Sequence, residues 1–277
     1  MKKLQTLLGI ALTGVLLNAG VTASAQIAKP GYATVVRVKG EASYSLDGGT
    51  HKFPLMPGKF LEPGAAIYTG DDALVDVVLG KAIDLPQAKW VPERISLAVD
   101  SPVRGLTSYR PAAEQNVVRV LANSTLVIDK LTTTSSGADT VSDTELDLKQ
   151  GSIYASVKKL SPAAQYLVKT PTGIAGVRGT QFLLSLNPDG TIQSVAVYQT
   201  VNDDGLVLAV TSGGATQTYV IKENEVWENG SPNPVPVSPQ LRHLLQVTFK
   251  ALRTIYFQAV SIDYDRTKQF ASPAFGF

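Results

Sequence analysis

From residue 32 to residue 227 the sequence advances in short apolar stretches of period two, each closed by a turn built from glycine, proline, asparagine or aspartate. Period two places successive side chains on opposite sides of an extended backbone, so such a stretch is a strand with one face toward a core. Residues 34–39 end at Gly40, and residues 42–46 end in Asp47-Gly48-Gly49. Residues 73–79 form a further strand whose alternation lapses, which predicts burial on both faces near its end. Residues 180–186 and 191–198 flank Asn187-Pro188-Asp189-Gly190, a hairpin with turn chemistry at every linking position. Residues 205–210 and 216–221 flank Ser212-Gly213-Gly214 in the same way. Strands this short with glycine turns indicate an all-β chain, either a β-solenoid or a jelly-roll-like fold, and the pattern leaves both open.

Three stretches break the rhythm. Residues 81–115 carry Pro86, Pro92, Pro102 and Pro111 and read as an irregular insertion. Residues 132–143 are rich in serine, threonine, aspartate and glycine and read as a solvated loop. Residues 229–237 are a proline-rich linker that cannot pair in a central strand. After it, Ser238 is an N-cap with Pro239 at the first helical position. Leu241, Leu244, Leu245, Thr248, Leu252, Ile255, Tyr256 and Ala259 then recur at helical spacing, which predicts one amphipathic helix over residues 239–260 and a tail to Phe277. That helix has two readings: a cap on an open edge or end of the β domain, or a contact surface for a partner or for a membrane.

The N-terminus bears on compartment. Lys2 and Lys3 precede an apolar run, and Ala23-Ser24-Ala25 has the small-x-small form of a signal-peptide cleavage site. The expectation is a signal peptide over residues 1–25, a mature start at Gln26 and a periplasmic or secreted product without a transmembrane helix. The competing reading is a retained N-terminal anchor. Without those two lysines, 23 basic groups face 23 acidic ones, so the mature chain is neutral and gives no electrostatic reason to bind nucleic acid. Cysteine is absent, which removes disulfides, thiolate catalysis and thiolate metal sites.

The longest unusual string is Val168-Lys169-Thr170-Pro171-Thr172-Gly173-Ile174-Ala175-Gly176-Val177-Arg178-Gly179-Thr180-Gln181-Phe182. It resembles the central signature of the FecR-type domain family, named for periplasmic regulators of iron-dicitrate uptake. Residues 61–73, 123–128 and 146–154 resemble the family's other segments in the family's order, so the resemblance extends over roughly residues 32–227. It implies a β domain over residues 26–228, followed by the linker and by a helix and tail over residues 238–277. The regulators themselves carry a cytoplasmic segment and a membrane helix ahead of this domain, where a signal peptide is expected in this chain. The resemblance therefore implies a stand-alone exported form with a binding, sensing or scaffolding role and an envelope protein or peptide as partner. It implies neither the anti-sigma activity nor an oligomeric state.

Within the signature, Pro171 is expected to end a strand. Gly173, Gly176 and Gly179 are expected to supply positive φ or close backbone approach. Thr170 and Thr180 flank the turn, with the Thr180 hydroxyl a capping group. Arg178 has two readings. In the first it is a buried arginine that bonds carbonyls and holds a structural corner; in the second it grips an anionic ligand such as a carboxylate. No catalytic residue, metal ligand set or cofactor motif is assigned. His51 and His243 stand far apart with no third ligand, and Asp71-Asp72, Asp203-Asp204 and Asp143 with Glu145 read as solvated turn or strand-edge carboxylates. The opposing class is a carbohydrate-active envelope enzyme working with two carboxylates.

Overall fold

The computed structural model describes residues 28–80, 106–109, 116–136, 139–201, 204–252 and 255–258. The expected signal peptide, most of the expected insertion and the tail lie outside the described residues. The chain opens with β1 (Lys29–Pro30), β2 (Tyr32–Lys39), β3 (Ala42–Ser45), β4 (Phe53–Pro54) and β5 (Phe60–Leu61). It continues with β6 (Ala66–Thr69), β7 (Leu74–Gly80), β8 (Leu106–Tyr109), β9 (Asn116–Val120), β10 (Thr125–Ser136) and β11 (Asp139–Gln150). Then come β12 (Ser152–Ser156), β13 (Gln165–Thr170), β14 (Gly173–Gly176), β15 (Thr180–Leu186) and β16 (Ile192–Thr200). The last elements are β17 (Leu206–Ser212), β18 (Ala215–Ile221), β19 (Glu225–Glu228), β20 (Val235–Pro236), α1 (Pro239–Leu252) and β21 (Ile255–Gln258).

These strands form two large open sheets. The first runs β18-β17-β14-β13-β11-β10-β6-β3-β4, with β1 also on β10; the second runs β20-β19-β16-β15-β12-β9-β7-β2-β5. A small ribbon pairs β8 with β21. The chain crosses repeatedly between the large sheets, as a solenoid does, yet nearly every ladder is antiparallel, as in a jelly roll. The exception is β11 with β13, whose parallel register follows one complete circuit through β12. The all-β expectation holds, and neither large sheet closes into a barrel.

Alternation explains the packing. Val35, Val75, Val77 and Val118 from the second sheet meet Ile67, Leu126, Ile128, Leu146, Leu148, Val168 and Leu208 from the first in one buried core. The other face of the second sheet is also covered. Val36, Val78, Val117, Tyr154, Ala196 and Val226 on it pack with Leu245, Phe249 and Leu252 of α1. The lapse of alternation in β7 has this cause: Val77 and Leu79 face the inter-sheet core while Val78 faces the helix layer.

Three expectations change. Residues 132–136 and 139–143 are the arms of the β10–β11 hairpin, with Thr132 opposite Asp143 and Thr133 opposite Ser142; threonine suits a pleated surface as well as it suits a loop. The helix stops at Leu252, and residues 255–258 pair as a strand with β8 inside the stretch read as an insertion. The buried stripe of the helix is Leu245, Phe249 and Leu252, whereas Leu244 is half exposed. Its start is as expected, with the Leu241 N–H donating to Ser238 Oγ at 3.2 Å.

Candidate functional site

The signature string folds as a hairpin followed by a crossing. β13 ends at Thr170, immediately before Pro171, and Thr170 Oγ1 donates to the Gly173 carbonyl at 3.0 Å to close the turn into β14. Residues 177–179 then leave the first sheet, and β15 starts in the second at Thr180. The three glycines have three different reasons. Gly173 faces inward, where a Cβ would stand 2.5 Å from the Ala209 carbonyl oxygen and 2.8 Å from Ile192 Cδ1, so close approach excludes any side chain. Gly179 has φ +73°, a left-handed conformation at the crossing. Gly176 needs neither exemption, since a Cβ there would meet its nearest neighbours at an ordinary 3.8 Å.

What Gly176 supplies is space. On the outer face of the first sheet, Leu167, Gly176, Val207 and Val220 stand opposite one another across β13, β14, β17 and β18. A missing side chain in the second place leaves a notch between Leu167 and Val207. The notch opens into a groove of about 300 Å³ lined also by Gln165, Arg178, Asp204 and Gly205. Ile174, Val207 and Val220 around it are all exposed, so the groove lies in an apolar strip.

Arg178 stands at the rim of this groove and is exposed. It donates from Nη2 to the Pro162 carbonyl at 3.2 Å. The first reading of Arg178, a buried arginine bonding several carbonyls, is therefore corrected: the crossing leaves the sheet, and the side chain points to solvent instead of among turns. The Thr180 hydroxyl caps nothing; it is buried without a hydrogen-bond partner. Tyr166, also among the groove's lining residues, has a buried hydroxyl without a partner, and burial pushes its ionisation above the ordinary phenol value.

Among the described residues the buried arginine is another one, which sequence reasoning missed. Arg119 on β9 bonds Asp76 on β7 through both carboxylate oxygens, Nε to Oδ1 at 2.6 Å and Nη2 to Oδ2 at 2.9 Å. Asp76 is fully buried, and Arg37 on β2 approaches it from the far side at 3.3 Å. Arg37, Asp76, Arg119 and Tyr154 occupy one cross-strand row on the outer face of the second sheet. The signal was present as two charges inside valine-rich strands, in Val75-Asp76-Val77 and Val118-Arg119-Val120.

The suggestive carboxylates are scattered. Asp71 and Asp72 sit exposed in the turn before β7, and Asp204 lies at the groove while Asp203 lies outside the described residues. Asp143 and Glu145 do share a sheet face, but lysines engage them: Lys130 reaches Asp143 at 3.2 Å, and Lys169 reaches Glu145 at 2.7 Å and Asp129 at 3.3 Å. Those bonds, Glu145 first, raise the Lys169 pKa. His51 is held by Asp47 at 2.6 Å in an exposed turn. Among the described residues no three histidines, aspartates or glutamates gather as a metal set.

Residues 110–201 match the FecR protein family. The FecR segment runs from just before β9 into the end of β16 and contains the whole signature hairpin, with Gly176 and Arg178. It is about a third of the chain and stops short of the wider span the sequence resemblance suggested. Two crystal structures from Parabacteroides distasonis, each described as "a putative anti-sigma factor", match part of this chain. One is 13% identical, with 48% of this chain and 56% of that chain covered and a TM-score of 0.29. The other is 12% identical, with 48% and 60% covered and a TM-score of 0.28. This chain thus spans less than two thirds of the length of either. No curated protein matches.

Proposed function

We propose that this chain is an exported, non-catalytic FecR-type module of the bacterial cell envelope, which senses or scaffolds by binding a protein or peptide partner. The observation that carries the reading is the groove built by the FecR segment's own signature. Its floor is apolar, at Leu167, Gly176 and Val207, and its rim offers the exposed guanidinium of Arg178. An apolar side chain seated over Gly176 with a carboxylate within reach of Arg178 matches both features, because a planar guanidinium pairs with carboxylate through two parallel bonds. The carboxylates on the same sheet face are held by lysines, which argues against a pair free to act as acid and base. The Ala23-Ser24-Ala25 string supports export. No helix among the described residues is long and apolar enough to cross a membrane.

The test combines compartment and contact. N-terminal sequencing of the protein from the envelope fraction is expected to begin at Gln26; a chain beginning at Met1 would return the anchored-regulator reading. A photo-cross-linker at Val207 is expected to trap one partner in wild type and to lose it with Arg178→Ala and with Gly176→Phe, which fills the notch. Trapping that ignores both substitutions, or turnover of a cell-wall glycan abolished by one carboxylate substitution, would sink the proposal.

A further inference from the structure

Among the described residues the two large sheets have four path ends, with the two-residue β1 (Lys29–Pro30) beside β10 as a further short edge, and three of the four ends are blunted against strand addition. β4 is Phe53–Pro54 and β20 is Val235–Pro236, each two residues long and half proline. β5 is Phe60–Leu61, also two residues, set between Pro57-Gly58-Lys59 and Glu62-Pro63. Short strands, proline and lysine are the devices by which edges avoid pairing with another chain. The fourth end, β18, has none of them. It is seven residues long, Ala215–Ile221, with neither proline nor charge, and five of the seven are exposed.

The hairpin fixes which backbone groups of β18 have no ladder partner among the described residues. Gly213 and Gly214 both have positive φ, at 58° and 82°, and form a two-residue turn. Ser212 and Ala215 close it, so alternate residues from Ala215 bond back to β17. Thr216, Thr218 and Val220 therefore aim their N–H and C=O groups outward, and Thr211 on β17, opposite Thr216, correspondingly sends its N–H away to the Thr172 carbonyl at 2.8 Å. Their side chains stand on the outer face with Val207 and Val220.

We infer that β18 is a self-association edge, whose occupant is β18 of a second copy of this chain, antiparallel about a two-fold axis at Thr218. The free groups specify that register. Thr218 pairs with its own copy, and Thr216 pairs with Val220 of the second copy in both directions, so every outward N–H and C=O finds a partner. The outer-face pairs are threonine with threonine and threonine with valine, β-branched on both sides and without like charges. The first sheet continues across the axis, and its exposed row at Leu167, Gly176, Val207 and Val220 continues with it. This inference rests on the backbone pairing of β18 and not on the groove's proposed role.

The absence of cysteine makes the test clean. In the inferred dimer, Thr218 lies about 5.5 Å Cα to Cα from its own copy, within disulfide reach. Thr216 lies about 14 Å from its own copy, from four residues of strand rise. Under mild oxidation of the full chain, Thr218→Cys is expected to cross-link at least about tenfold faster than Thr216→Cys. Sedimentation equilibrium of the unmodified chain is expected to show dimer forming as concentration rises, and Thr218→Pro, which removes only an outward N–H, to leave monomer with an unchanged far-ultraviolet spectrum. A chain that stays monomeric throughout, or equal cross-linking at the two positions, overturns the inference and leaves the edge to a strand from another protein.

Discussion

The two outer faces of the sandwich handle an arginine in opposite ways. On the second sheet, Arg119 is buried and held by both oxygens of a fully buried Asp76, with α1 covering the neighbouring apolar positions. On the first sheet, Arg178 is exposed beside an uncovered apolar groove and has donated one bond to a carbonyl. Both sit next to valines, so local sequence does not separate them. Their strand context does: Arg119 lies mid-strand in a sheet whose two faces are both covered, whereas Arg178 lies on a crossing between sheets. A covered face demands full pairing of whatever charge it carries, while an uncovered one leaves its charge available. The first arrangement specifies structure, and the second is what a binding surface requires.

The largest expected effect comes from breaking the covered side. Asp76→Ala leaves Arg119, and Arg37 beside it, without their carboxylate in a buried row. Removing one partner of a buried pair costs about 3–5 kcal/mol, a large part of the stability of a domain this size. Denaturant melts are the measurement, and a loss below about 1 kcal/mol would show that water reaches the row and that it is not the buried centre described here. Replacing the pair together, as Asp76→Leu with Arg119→Met, is expected to recover most of the loss, because apolar residues of similar volume often match a buried ion pair.

A middle-sized effect separates two glycines of one hairpin. Gly173→Ala forces a Cβ against the Ala209 carbonyl and Ile192, and overpacking of this kind costs about 1–3 kcal/mol. Gly176→Ala meets only ordinary contacts and has no unfavourable φ to adopt, so its melt is expected within about 0.5 kcal/mol of wild type. Equal destabilisation by both would mean that Gly176 is structural and that the notch is incidental.

The contrast also explains what the sequence disclosed. Strand positions, the hairpin turns, the proline stop at Pro171 and the N-cap at Ser238 were legible because each depends on neighbours a few residues away. The double burial of β7 was legible from Val77-Val78-Leu79 for the same reason. The end of α1 at Leu252 was not, because β21 is drawn off to pair with β8, more than a hundred residues earlier. Nor was the Asp76–Arg119 pair, which joins strands 43 positions apart. The signature was visible as a motif, but its glycines look alike on paper. Only their neighbours across β17 and the second sheet tell close packing at Gly173 from open space at Gly176.

The smallest expected change in stability is also the one that decides what the signature arginine does. Arg178→Ala removes an exposed side chain whose single described bond, at 3.2 Å, goes to a carbonyl that solvent can replace. Surface substitutions of this kind usually fall within about 0.5 kcal/mol, so the melt is expected to be unshifted. Partner capture at the groove is expected to fall in the same variant, and Arg178→Lys to restore it only in part, since an ammonium supplies charge without the planar fork that meets a carboxylate through two bonds. A domain destabilised by about 1 kcal/mol or more in Arg178→Ala would instead mean that the Pro162 contact holds the crossing together. The uncovered face would then be using its arginine as the covered face uses Arg119, and the groove would lose its proposed binding group.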